Sequence, residues 1–180
     1  MSHYLVVSAI GKNRSSIVHQ IASHVAECGC NIIDSRLAIF GQEFTLMMLL
    51  SGNWNSMAQV EATLPLKSQE LDLVSVMKRT SEQELRSYSY SVDANIEIQD
   101  TPGILKHFTQ FFTDIQAELH SLQSEIYVEE PSKTEILHAR FQLSLPKGSD
   151  IEAAHQQYLD LCNTLGTLNH QFQVHTLADQ

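Results

Sequence analysis

The sequence predicts an α+β chain built from two βαββαβ units in tandem. Three observations predict it. Apolar runs follow the order strand, helix, strand, strand, helix, strand in each half; the halves superpose when the numbering is shifted by 87; and a stretch rich in Ser, Glu and Gln separates them. The shift lays Leu5, Val7 and Ala9 on Val92, Ala94 and Ile96, and Ile17, Ile21 and Val25 on Ile104, Phe108 and Phe112. Two such copies make the split-βαβ, ferredoxin-like plan, with a first unit at 1–80, a linker at 81–88 and a second unit at 89–180. Units this small gain from packing on one another.

Tyr4–Ala9 is a short apolar run of the strand type. Beyond Gly11 to Ser16, the spacing of Ile17, Ile21 and Val25 is helical, with Asn13 or a following serine as cap and Gly29 as the left-handed stop. Ile32–Ile39 and Phe44–Leu50 read as strands joined by a hairpin at Phe40-Gly41-Gln42. Asn53 opens a second helix that Pro65 ends, with Trp54 as a packing anchor near its start, and Leu71–Met77 closes the unit. In the second half the hairpin at Glu129–Thr134 is longer, Leu137–Leu145 alternates, Ile151–Leu165 is helical and Leu168–Leu177 is the last strand.

The halves differ in one respect. Val92, Ala94 and Ile96 alternate with Ser91, Asp93 and Asn95, the pattern of a strand with one wet face. In the first half Tyr4, Val6 and Ser8 stand at the corresponding positions, and Phe44–Leu50, with Met47 and Leu49, is apolar on both faces. Helices in this plan cover one side of the sheet only. The first sheet's other side is therefore expected to be covered by the second unit, another subunit or a partner protein.

Charge narrows the function classes. The net charge is −10 over 180 residues. Residues 1–88 carry 7 Lys/Arg against 8 Asp/Glu, and residues 89–180 carry 4 against 13. A chain that held DNA by itself would need a basic face to neutralise phosphates, so direct nucleic-acid binding is not expected. Apolar runs such as Phe44–Leu50 fall far short of the ~20 residues that span a bilayer. Met1-Ser2-His3-Tyr4-Leu5 has no basic region ahead of its apolar run, and the three cysteines form no disulfide framework or Cys-x-x-Cys motif. The expectation is a cytoplasmic protein without a signal peptide.

The clearest local motif is Asp100-Thr101-Pro102-Gly103-Ile104-Leu105, between the first strand and helix of the second unit. Pro suits a first helical turn, and Gly lets the backbone approach a ligand at the helix's positive N-terminus. That is a physical site for a carboxylate or similar anion; an ordinary capped helix start reads the same way. Asp-x-Pro-Gly-Ile after a first strand, in a βαββαβ repeat, resembles the ACT domain, a regulatory module that commonly binds amino acids. Gly11-Lys12-Asn13-Arg14-Ser15-Ser16-Ile17-Val18, Cys28-Gly29-Cys30-Asn31-Ile32, Leu50-Ser51-Gly52-Asn53-Trp54-Asn55 and Thr63-Leu64-Pro65-Leu66 extend the resemblance to the tandem-ACT glycine cleavage repressors of gamma-proteobacteria.

That resemblance implies a regulator rather than an enzyme. It implies repression of the glycine cleavage operon through association with the operon's LysR-type activator, without DNA contact, with glycine as the relieving ligand. It implies ligand contacts at Asp100, Thr101, Pro102, Gly103, Ile104 and Leu105, and at Asn13, Arg14, Ser15, Ser16 and Asn31 in the first unit. The first loop departs from the pattern by lacking Pro and Gly, and the second unit has Glu118 in place of Asn31. One working site at Pro102-Gly103, or a site shared between the units, is expected rather than two equivalent ones. No cofactor or metal is expected, and homo-oligomer formation stays open.

Other readings remain. An ACT regulator of another pathway would prefer a different amino acid, and a pure protein-binding module would bind none. Arg14-Ser15-Ser16 at a helix start could cradle the phosphate of a small ferredoxin-like phosphatase, but no activated nucleophile or general base is spaced beside it. His19, His24, Cys28 and Cys30 have no standard zinc spacing. Glu129-Glu130 reads as a solvated hairpin, with docking of a basic partner as the alternative.

Overall fold

Residues 3–81 and 88–177 are described by the computed structural model. Among them the first unit runs β1 (His3–Lys12), α1 (Ile17–Glu27), β2 (Asn31–Phe40), β3 (Glu43–Gly52), α2 (Trp54–Glu70) and β4 (Leu73–Thr80). The second runs β5 (Tyr88–Gln99), α3 (Ile104–Asp114), β6 (Glu118–Glu129), β7 (Thr134–Pro146), α4 (Ile151–Leu165) and β8 (Asn169–Thr176). Each unit has one four-stranded antiparallel sheet, ordered β2-β3-β1-β4 in the first and β6-β7-β5-β8 in the second. This is βαββαβ twice. The chain divides into two compact units; 82–87, in the expected linker, lie outside the described residues.

Alternation builds both cores. Leu5, Val7 and Ala9 on β1 and Leu46, Met48 and Leu50 on β3 point to the helices and are buried. Ile17, Ile21 and Val25 meet them from α1 at a four-residue spacing, and Met57, Val60 and Leu64 meet them from α2. The second core repeats the arrangement with larger rings. Phe108 lies 6.0 Å from Phe141 and 6.1 Å from Tyr158, ring centre to ring centre. The fully buried Tyr158 donates its hydroxyl to the Asn95 carbonyl at 2.8 Å, and burial raises its phenol above the ordinary range.

The backbones of the units correspond in detail. After α1, Gly29 is left-handed (φ 74°), its N–H bonds the Ala26 carbonyl and the Cys30 N–H bonds that of Val25, a Schellman stop. Gln116 occupies the equivalent place at φ 58°. Both edge strands β2 and β6 are bulged, at Ile33 and at His120, again equivalent under the shift.

Four expectations are corrected. Pro65 does not end α2, which continues to Glu70: the loss of one backbone bond is outweighed because Leu64 and Ser68 keep the helix's inner face buried while Pro65 points outward. Pro102 is not in the first helical turn, since α3 begins at Ile104 with Gly103 as its cap residue. Ser16 is the cap residue of α1, but its side chain makes no capping bond. Trp54 is 59% exposed rather than a packing anchor. Its ring carries the Arg79 guanidinium 4.3 Å from its centre and the His3 ring edge-on at 5.5 Å. Arg79 in turn donates two 2.7 Å bonds to Glu61, which hold that carboxyl below the usual range.

Candidate functional site

The Asp100–Gly103 loop leaves β5, turns, and starts α3. The Asp100 N–H donates to the Glu135 carbonyl at 2.8 Å, which pins the loop to the start of β7. The Ile104 N–H donates to the Thr101 carbonyl at 3.4 Å, closing the turn, and His107 N–H reaches back to Gly103 at 3.3 Å. Gly103 sits at φ 99°, a conformation that L side chains rarely adopt, while a Cβ there would meet nothing within 4 Å. Backbone conformation, not space, calls for the glycine.

A cavity of about 410 Å³ opens against this loop. The whole stretch from Asp100 to Lys106 lines it, opposite Ser124, Glu125 and Ile126 of β6 and Leu137 of β7. The first amides of α3 lack partners inside the helix and give this wall a positive character. Asp100 and Glu125 supply carboxylates, and Ile104, Leu105, Ile126 and Leu137 supply apolar surface. Glu125 also lies 3.7 Å from both His138 Nδ1 and Arg140 Nη2.

The first unit's loop makes the same turn with different residues. Asn13 N–H bonds the Gln42 carbonyl at 3.1 Å, Ile17 N–H bonds Arg14 at 3.4 Å, and Ser16 takes the left-handed place at φ 76°. The Ser16 hydroxyl accepts a 3.2 Å bond from Gln20. Arg14 donates through Nη2 to the Leu71 carbonyl, at the negative end of α2. That guanidinium is a tie between loop and helix, which removes the cation from the phosphate-cradle reading. Ser15 is exposed.

Asn31 is not brought to that loop within its unit. The register sets it level with Ser51 and Tyr4, whereas the loop follows Lys12, level with Glu43. The eight intervening positions amount to about 26 Å along the strand. Glu118 is likewise level with Ser144 and Ser91, at the far end of its sheet from Asp100. The residues that do face the second loop, Ser124, Glu125 and Ile126, escaped the sequence reading. A signal was available: β2 and β6 run parallel to β1 and β5, so their C-terminal halves must end beside these loops.

The other polar clusters serve packing. His24 Nε2 donates to Thr63 Oγ1 at 2.8 Å, and Cys28 Sγ lies 3.7 Å from the same hydroxyl, joining α1 to α2. Burial, with Cys28 nearby, pushes the Cys30 thiol up. Among the described residues no three His, Cys, Asp or Glu side chains are grouped to hold a metal ion. No helix among them is long and apolar enough to cross a membrane. In the Glu129–Thr134 hairpin, Glu130 pairs with Lys133 and Ser132 donates to Glu129 at 3.0 Å.

Residues 3–78 match the ACT domain family model. With the βαββαβ plan repeated twice, the chain is a tandem ACT-domain protein of the regulatory kind. The glycine cleavage system transcriptional repressor of Escherichia coli (strain K12) is 40% identical over 170 residues, 93% of this chain and 90% of that one. The repressor of Shigella flexneri matches to the same extent. The chain therefore belongs to the glycine cleavage system transcriptional repressor family. A crystal structure assigned to such a repressor matches with a TM-score of 0.76 at 33% identity, covering 98% of this chain and 99% of that one. A Galdieria sulphuraria protein of unknown function shares the fold, with a TM-score of 0.75 at 17% identity over 99% and 100% of the two chains.

Proposed function

We propose that this chain represses glycine cleavage operon expression by holding the operon's LysR-type activator, and that glycine bound at the Gly103 loop relieves the repression. The cavity carries this reading. It offers amides for a carboxylate at the start of α3 and two carboxylates, Asp100 and Glu125, for an ammonium group. That is the charge pattern of a free amino acid. Asn13, Arg14, Ser15, Ser16 and Asn31 are assigned secondary roles at most, since Arg14 is committed to Leu71. The charge of −10 favours a protein partner over DNA.

The affinity is bounded. At about 1.5 kcal/mol per non-hydrogen atom, glycine gains at most roughly 7–8 kcal/mol, a micromolar constant at best. It releases the activator only in proportion to its preference for one state of the repressor over the other. The cavity also favours a second reading. At about 410 Å³ it has room for more than ten waters of about 30 Å³, and its apolar wall suits an amino acid with a larger aliphatic side chain.

Calorimetric titration with glycine, alanine, serine and leucine separates the readings. Saturable heat for glycine alone supports the first, and tighter leucine binding supports the second. If all four titrations are silent with the chain alone and with the activator bound, the loop is an ordinary helix start and the chain acts by protein contacts.

A further inference from the structure

The faces that the helices leave open differ between the two sheets. In the second sheet that face shows Asp93, Asn95, Glu97, Arg140, Gln142 and Gln171, with Asn95 bonded to Gln171 at 3.1 Å and Gln142 to Asp93 at 3.3 Å. In the first sheet it shows Val6, Ile10, Met47, Leu49, Val74 and Val76, alternating with the buried core positions. Ile10 and Met47 are 49% exposed, Val76 65% and Val74 69%. The fold does not demand an apolar face, because its second copy manages without one. A contiguous patch of this kind marks an interaction surface.

The rim charges select the occupant. Pairing register places Asp34, Leu49, Val6 and Lys78 in one row across the sheet, and Arg36, Met47, Ser8 and Val76 in the next. Asp34 stands on the β2 edge and Lys78 on the β4 edge of the same row. A second copy laid face to face about a two-fold axis parallel to the strands puts its β2 over this β4 with the rows unchanged. Asp34 then meets the partner's Lys78 on one rim, and the converse pair forms on the other. Between them Leu49 meets Val6.

We propose that this face is a homodimer interface, an isologous sheet-on-sheet sandwich closed at both rims by Asp34–Lys78 pairs. Sheets packed so lie about 10 Å apart with strands within about 30°, a gap that an extended lysine can close onto a facing carboxylate. Four strands about 4.8 Å apart and nine residues long give a footprint of roughly 550 Å² per copy. That is the small end of specific interfaces, so a reversible dimer is expected.

Sedimentation equilibrium of the full chain from about 1 to 200 µM tests this. A monomer–dimer equilibrium is expected, and Val76→Glu should abolish it, with the melting temperature unchanged at concentrations where the wild type is monomeric, since that side chain lies outside the core. Made in an Arg36→Gln background, because Arg36 lies 3.9 Å from Asp34, Asp34→Lys and Lys78→Asp should each weaken the dimer about tenfold, and the double exchange should recover it to within about threefold. A chain monomeric throughout, or a dimer indifferent to Val76→Glu, overturns the proposal. So does a double exchange as weak as the single ones.

Discussion

Replacing Gly103 by alanine is expected to destabilise the second unit by about 1 kcal/mol. An L-residue in the left-handed region costs roughly 1–2 kcal/mol, and alanine recovers about 0.4–1 kcal/mol by restricting the unfolded chain. No clash adds to this, because a Cβ at 103 meets nothing within 4 Å. Ser16 supplies the reverse experiment: it holds the equivalent turn at φ 76° with a side chain in place. Ser16→Gly should stabilise the first unit by a few tenths to 1 kcal/mol, less the exposed Gln20 bond. Urea unfolding reads both. Trp54, the single tryptophan, reports the first unit by fluorescence, while far-UV circular dichroism reports the whole chain. With a slope near 1–2 kcal/mol per molar, the Gly103→Ala midpoint falls by roughly 0.5–1 M. An unmoved midpoint in Gly103→Ala, or a loss of stability in Ser16→Gly, would refute the strain argument. Because Gly103 variants disturb the fold, Glu125→Gln is the cleaner probe of binding.

Phe108→Ala should cost about 3–5 kcal/mol in thermal or urea unfolding, since the ring is fully buried between Phe141 and Tyr158. Glu61 contributes stability above its ordinary pKa of 4.5 that fades as pH falls through its depressed folded value, with solvent screening keeping the effect small. Melting temperatures of wild type and Glu61→Gln should therefore differ most near neutrality and converge in acid, as pH falls through the depressed folded value. Arg14→Ala should lower first-unit stability by about 1 kcal/mol through loss of its bond to the α2 terminus, while calorimetry shows amino-acid binding unchanged.

Much of the fold was legible because alternation and helical spacing are local. Leu5, Val7 and Ala9 announce β1, and Ile104, Phe108 and Phe112 announce α3, without reference to anything else. Gly29 and Gly103 were legible for a similar reason, being residues whose backbone freedom a turn uses. Pro65 misled because a local penalty lost to the burial of Leu64 and Ser68 one turn either way. Trp54 misled because hydrophobicity does not say which face of a helix end is covered. The β6 wall of the cavity was harder still. Glu125 reaches the loop through strand register beyond a bulge, and Asn31 fails to reach its own loop for the same topological reason.

The paired bulges at Ile33 and His120 bear on the history of the chain. An aliphatic side chain stands at one and an imidazole at the other, so neither side chain's chemistry explains why both strands break step at the same place. Duplication of an ancestral unit whose second strand already carried the irregularity explains both, and it implies that backbone geometry outlasted the residues that first produced it. Anyone recombining the halves inherits the constraint: a junction that straightened the bulge while keeping its residue would send Asn31 inward and Ile32 out, whereas a cut at equivalent positions leaves the phase as it is. Swapping the edge strands whole, β2 for β6, keeps the ancestral phase intact.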